Sequence, residues 1–368
     1  MAMNREALLS DDWHGVVERL GGAAALSAGA RETKAFLRPR GVGSAEELLR
    51  LVLAYCLGDR GLRLTCAWAT ASGLADISNV ALLGRLRRCG DWLALLVGHV
   101  LSGYVPAAGR GRLIRLIDAT NVPQAGAAAR KRNRVWRVHS AFDLPAERFG
   151  HFELTDQRGA ERLDRIPVVA GELRIADRVY LHPEPVATVL EAGADVVLRA
   201  GWKSVCWLDE DGEALDLPAV LRQSAPAGRI DRPIRLARKD AKPLGLRLVA
   251  LRKPPQAAEA ARHKARRAAQ RGGHQISGDT LVAAEWVVLV TSLDADSYST
   301  DDVLDLYRLR WRIELGFKRL KSVTGLSGPP GKDERSARPW VLAHLLMILL
   351  LEPLVDAVED SPRWAAGA

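Results

Sequence analysis

Cysteine is scarce in this chain: four in 368 residues, Cys56, Cys66, Cys89 and Cys206, with no CxxC pair. Such spacing indicates neither a disulfide framework nor a zinc site, and a reducing cytoplasm is the expected compartment. Long apolar runs are missing as well. The longest, Trp340 to Leu351, contains His344 and stops at Glu352-Pro353. It falls short of the ~20 apolar residues that span a bilayer and reads as a buried helix, so no membrane partner is expected. The opening Met-Ala-Met-Asn-Arg-Glu has no basic-then-apolar signal pattern. No internal repeat is visible. Secreted, membrane and zinc-dependent classes are set aside.

Acid is also in short supply: 44 Asp+Glu face 53 Lys+Arg, a net charge of +9. The bases cluster. Arg130, Lys131, Arg132, Arg134 and Arg137 form one run; Arg262, Lys264, Arg266, Arg267 and Arg271 form another. Arg308, Arg310, Arg312, Lys318, Arg319 and Lys321 form a third, interrupted by Glu314. One such run is as often a solvated face as a binding patch. Three favour a polyanion, because each neutralised phosphate releases condensed counterions. Nucleic acid is the leading partner class.

The length suits two or three units at ~150 residues each. Residues 5–107 read as helical: Leu48, Leu51, Val52 and Tyr55, then Val80, Leu82, Leu83 and Leu86, recur near helical spacing. Ser44-Ala-Glu-Glu-Leu is a helix start. Arg31, Lys34, Arg38 and Arg40 could serve DNA phosphates there. The pattern changes at Arg112. Leu113 to Thr120 is a short buried strand ending in an acid, Asp118, followed by strands over 135–143 and 148–154 and a helix over 159–163. Ile175 leads to a second strand-end acid, Asp177; a helix over 185–191 and a strand over 194–200 follow. Residues 201–281 alternate short strands (204–208, 234–237, 247–251) with proline-rich turns and an exposed basic helix over 257–271. Trp286 to Leu293 is strong strand material, and Ser299-Thr-Asp-Asp caps a helix running to about Lys321.

Asp118, Asp177 and Glu314 are the candidate chemistry. Three carboxylates suit a pair of divalent cations ~4 Å apart, one activating an attacking oxygen and one stabilising a leaving oxygen. Each aspartate alone reads equally as turn chemistry. The helix adds weight. At ~100° per residue, Leu306, Leu309, Ile313, Phe317 and Leu320 form a core face, and Tyr307, Arg310, Glu314, Lys318 and Lys321 form an adjoining stripe. Glu314 within that stripe is either an ion-pair partner of Arg310, four residues away, or a metal ligand among phosphate-binding cations.

Tyr307-x2-Arg310-x3-Glu314-x6-Lys321 resembles the Y-R-E-K signature of the DDE transposases of bacterial insertion sequences, in the IS-four branch. Ile117-Asp118-Ala-Thr is similar to that family's first-aspartate strand, and Ala176-Asp177-Arg178-Val-Tyr180 with Val197-Leu-Arg199 to its second block. The resemblance spans about residues 112–350. It implies an α/β fold: a ribonuclease H-like catalytic core (109–200 and 282–351) interrupted by a β-rich insertion (201–281). The helical pattern ahead of it, matching the family only in general character, reads as an all-helical DNA-binding domain (1–108), and residues 352–368 read as a tail. It also implies a Mg2+-dependent enzyme, with two ions (Mn2+ able to substitute) held by Asp118, Asp177 and Glu314. Tyr307, Arg310, Lys318, Lys321, Arg199 and Arg178 would contact DNA. Trp286 is either the residue on which a flipped base stacks or a core aromatic, and His139 fits a structural place beside the site.

The expected reaction is cleavage at terminal inverted repeats and joining of 3′ ends to target DNA, cut-and-paste through a hairpin intermediate. A homodimer on paired ends in the bacterial nucleoid is implied. The chain ends at Ala368, so a long C-terminal dimerisation domain is not expected. The rival readings are a catalytically inactive or domesticated DNA-binding derivative and a structure-selective nuclease on the same fold.

Overall fold

A computed structural model of the chain describes residues 13–58, 60–102, 112–123, 135–146, 148–330 and 333–359. Arg130, Lys131, Arg132 and Arg134 of the first basic run, and the ends of the proposed N-terminal unit and tail, lie outside them.

Among the described residues six helices come first: α1 (Trp13–Arg19), α2 (Gly22–Glu32), α3 (Ala45–Leu57), α4 (Leu62–Ala71), α5 (Asn79–Leu86) and α6 (Gly90–Ser102). The α3 start is a reciprocal cap: the Ser44 hydroxyl accepts from the Glu47 amide at 3.0 Å, and the Glu47 carboxylate accepts from the Gly43 amide at 2.7 Å. The final helix, α13 (Glu334–Glu359), runs back through this bundle, and its Leu345, Leu346 and Leu349 share one core with Leu48, Trp92 and Leu96. Although it contains the long apolar run, no helix among the described residues is long and apolar enough to cross a membrane.

Between them, the described residues form one nine-stranded sheet. Its strands are β1 (Ile114–Pro123), β2 (Val135–Asp143), β3 (Arg148–Thr155), β4 (Leu173–Ala176), β5 (Asp195–Arg199), β6 (Trp207–Leu208), β7 (Arg229–Leu236), β8 (Leu244–Arg252) and β9 (Trp286–Thr291). Their order is β3-β2-β1-β4-β5-β9-β8-β7-β6, with β1, β4 and β5 parallel and the remaining pairings antiparallel. The β3-β2-β1-β4-β5 portion agrees with a ribonuclease H-like core. The strands of residues 201–281 extend this same sheet through β8 and β9. Connecting helices are α7 (Pro183–Glu191), α8 (Leu217–Gln223), α9 (Pro255–Arg271), α10 (Gly278–Ala284), α11 (Thr300–Arg308) and α12 (Trp311–Thr324).

Four local expectations change. Strand β1 continues past Asp118 to Pro123 because it stays paired with β2, whereas its ladder with β4 ends at Ile117↔Ala176. Residues 159–162 form no helix: Gly159 closes a turn onto the Asp156 carbonyl, and Arg137 donates to the Gly159 carbonyl at 2.7 Å. The strand foreseen over 204–208 shrinks to Trp207–Leu208. The helix after Ser299 is two helices. The Leu309, Arg310, Arg312 and Ile313 amides all bond to carbonyls three residues back, a tightened 3₁₀-type turn between α11 and α12.

The core strands are pinned behind the sheet by buried ions. Arg174 on β4 donates to Glu172 at 2.5 Å and to the Leu163 and Pro167 carbonyls, while Arg115 on β1 pairs with Glu172 at 3.2 Å and Asp143 on β2 at 3.0 Å. Glu172, Arg174 and Asp143 are fully buried.

Candidate active site

Strand register places the first three candidates. Ile117, Ala176 and Leu198 stand level across β1, β4 and β5, so Asp118, Asp177 and Arg199 follow one another side by side. Alternation puts all three on the face of Leu116, Ile175 and Val197, the face that packs on Ile313, Phe317 and Leu320 of α12. Both aspartates turn a carboxylate oxygen back to the next amide: Asp118 accepts from Ala119 at 2.8 Å and Asp177 from Arg178 at 2.6 Å. The second contact caps the short 3₁₀ turn Arg178–Tyr180.

Asp118 is mostly buried, and that burial pushes its carboxyl up to about 6. The Ala119 amide and the Arg310 guanidinium oppose the rise, and the charges of Glu161 and Asp177 add to it. Arg310 links strand and helix. It lies 3.8 Å from the Asp118 carboxylate and hydrogen-bonds Glu314 one helical turn on, an ion pair whose Glu314 side chain is 59% exposed. Tyr307 is half-buried beside Arg199 and Arg310, and burial raises its phenol. Close approach of α12 depends on Gly316: a Cβ there would meet the Phe149 and Phe142 rings at 3.1–3.2 Å.

Lys318, Lys321 and Arg178 are exposed. Trp286 is placed otherwise than a stacking residue needs: it is 3% exposed and packs in the core on the opposite face of the sheet, with Ile230 and Leu248. Its position is that of the core aromatic. His139, on β2, bonds the Thr155 hydroxyl at 2.9 Å, and burial holds it down to about 4, neutral in ordinary conditions.

Two neighbours of Asp118 were given no role by the sequence, although Tyr180 belongs to the Ala176–Tyr180 block. Glu161 sits in the irregular segment after β3 and pairs with Arg137 at 3.2 Å. The Tyr180 hydroxyl is buried with no hydrogen-bond partner among the described residues and faces Asp118, Glu161 and Asp177.

The donors here are all carboxylate oxygens, which suit hard divalent cations rather than zinc or a redox metal. Among the described residues, however, no three acids stand jointly in ligating position, because the Arg310 guanidinium bridges Asp118 and Glu314.

Residues 109–350 match the family model of the transposase DDE domain. The chain belongs to the DDE transposase family. It is 35% identical over 365 residues, 97% of this chain and 98% of the relative, to InsL of Escherichia coli strain K12, described as the transposase of insertion sequence element IS186A. The same identity and coverage hold for the transposase of insertion sequence element IS421 of Escherichia coli. The IS-four resemblance therefore stands: this chain is an insertion-sequence enzyme of the DDE transposase type, a class that uses divalent metal and a DNA substrate.

Proposed function

We propose that this DDE transposase binds the terminal inverted repeats of its insertion sequence, cleaves at the element ends and joins the 3′ ends to target DNA. The observation that carries the reading is the level row Asp118–Asp177–Arg199 with Arg310 and Glu314 facing it from α12.

Asp118 and Asp177 hold fixed positions on adjacent strands, and Glu314 completes the acid set once it leaves Arg310. Mg2+, as two ions, would supply charge neutralisation and activation of water or a 3′ hydroxyl there. Arg310, released from Glu314, is then free to grip a phosphate oxygen, a role for which its forked donors are suited. Arg199, Tyr307, Lys318, Lys321 and Arg178 hold the end DNA around that phosphate. The catalytic groups contribute positioning and charge, with no covalent protein intermediate. A hairpin at the excised end and a homodimer pairing two ends complete the proposal.

The test is labelled terminal-repeat DNA with Mg2+, resolved on a denaturing gel. Glu314→Gln should abolish nicks and joined products while gel-shift binding persists. Strand cleavage surviving in that variant would remove Glu314 from the chemistry.

A further inference from the structure

Helix α9, the basic helix of the insertion, stands close to the candidate active site through one residue. Lys253, just past the end of β8, is bonded by its backbone to the Glu285 carbonyl at 2.8 Å and by its ammonium to the Ala284 carbonyl at 2.5 Å. That leaves two of its three ammonium donors unused by this contact. The sheet order β5-β9-β8 sets this lysine near the acid row: Arg199 on β5 pairs with Leu289 of β9, Lys253 follows the Arg252↔Trp286 pair at the start of the same strand, and Arg262 of α9 reaches the Glu285 carboxylate there. The charges of Arg199 and Lys264 both act on the Lys253 ammonium. Arg199 belongs to the acid row; Lys264 belongs to α9.

Nearby acid does not offset this charge. The Glu285 carboxylate is already shared by Arg252, at 2.9 Å, and Arg262. The one acid on α9, Glu259, pairs with His263. At ~100° per residue Glu259 lies about 140° around the helix from Lys264. Lys264, Arg267 and Arg271 fall within an arc of about 60°, all exposed. The stripe rises about 10 Å at ~1.5 Å per residue. A strand of DNA presents a phosphate every ~3.4 Å along its axis, so about three phosphates match it. Cations gathered with so little compensating acid repel one another in the free protein, a cost that a polyanion relieves.

We infer that Arg199, Lys253, Lys264, Arg267 and Arg271 form a phosphate-binding track that leads one DNA strand from the acid row along α9. This rests on the proposed function, since it takes the strand to be the one engaged at Asp118 and Asp177. The contacts are to backbone and independent of base sequence.

The experiment uses full-length protein in EDTA, so cleavage plays no part. Anisotropy with a labelled duplex and with the same duplex carrying a single-stranded extension is followed from 50 to 200 mM salt. The track variant is K264A/R267A/R271A; a control, K239A/K242A/R266A, removes equal charge from other exposed positions. Expected for the track variant is a salt slope on the extended duplex lower by about 2–3, with at least about tenfold weaker binding, against a smaller change in the control. K253A, checked for folding by thermal melt, should lower the slope by about 1. Equal losses in track variant and control, or an unchanged slope, would overturn the track. If end cleavage by the unaltered protein persists alongside either result, the track fails alone; if that cleavage is also absent, the proposed function fails with it.

Discussion

Asp118, Asp177 and Arg199 take their places from strand register, whereas Tyr307, Arg310 and Glu314 take theirs from a helix interrupted beside them. The strands cannot slip by one residue without turning every side chain to the other face. Behind them, the buried Arg115–Glu172–Arg174 and Arg115–Asp143 contacts lock β1, β2 and β4 together. On the helix side, the 3₁₀-type turn at 309–310 winds tighter than an α-helix, and an exposed ion pair holds Glu314. Exposed pairs contribute ~0–1 kcal/mol, so Glu314 can exchange partners at little cost. The fixed half presents Asp118 and Asp177; in the proposed function the adjustable half brings the third acid, Glu314, and the phosphate-binding cation, Arg310.

That contrast can be broken by measurement. The largest effect should come from Glu172→Gln, which leaves the buried Arg174 charge without its carboxylate partner and Arg115 with Asp143 alone. A loss of about 3–5 kcal/mol in urea unfolding is expected; a loss below about 1 kcal/mol would show that the ion network does not stiffen the strand half.

Asp118→Asn should act in the opposite direction. The Asp118 carboxyl titrates near 6 in the fold against 3.8 when unperturbed. The folded state therefore binds the extra proton between those values. Stability from this group is fully present below about pH 4 and is lost as pH rises through about 6. In EDTA, the amide variant should match the parent near pH 4 and exceed it by about 2 kcal/mol at pH 7. A gain that does not grow with pH would assign the effect to packing instead. Cleavage should be lost in the same variant.

The smallest effect sharpens the helix side. Gly316→Ala adds helix propensity worth up to ~1 kcal/mol but forces a methyl against Phe142 and Phe149, an overpacking cost of about 1–3 kcal/mol. A net loss near 1 kcal/mol is expected by chemical denaturation. A stabilised variant would mean that α12 can step away from β2 and β3 freely.

Much of the site was legible because it rests on short-range pattern. Asp118 and Asp177 each follow a buried apolar strand, and Tyr307, Arg310 and Glu314 share a helical stripe. Glu161 carried no functional signal because the helix expected over 159–163 does not form there; Arg137, distant in sequence, holds it in an irregular segment. The turn at 309–310 was equally hidden, since its residues are compatible with an unbroken helix and the i→i−3 bonds arise only in the folded chain. Trp286 was ambiguous for another reason: alternation shows that a strand has two faces, not which face is core and which looks toward the site.

Charge excess, strand and helix periodicity, cap chemistry and the spacing of Tyr307, Arg310, Glu314 and Lys321 were determined by the sequence alone, because each depends on neighbours within a few turns. Which strands lie level, that the strands of residues 201–281 extend one sheet, and that Arg310 stands between Asp118 and Glu314 were decided only by tertiary structure. Those facts depend on pairings between residues tens to hundreds of positions apart, which register, burial and ion pairing select together.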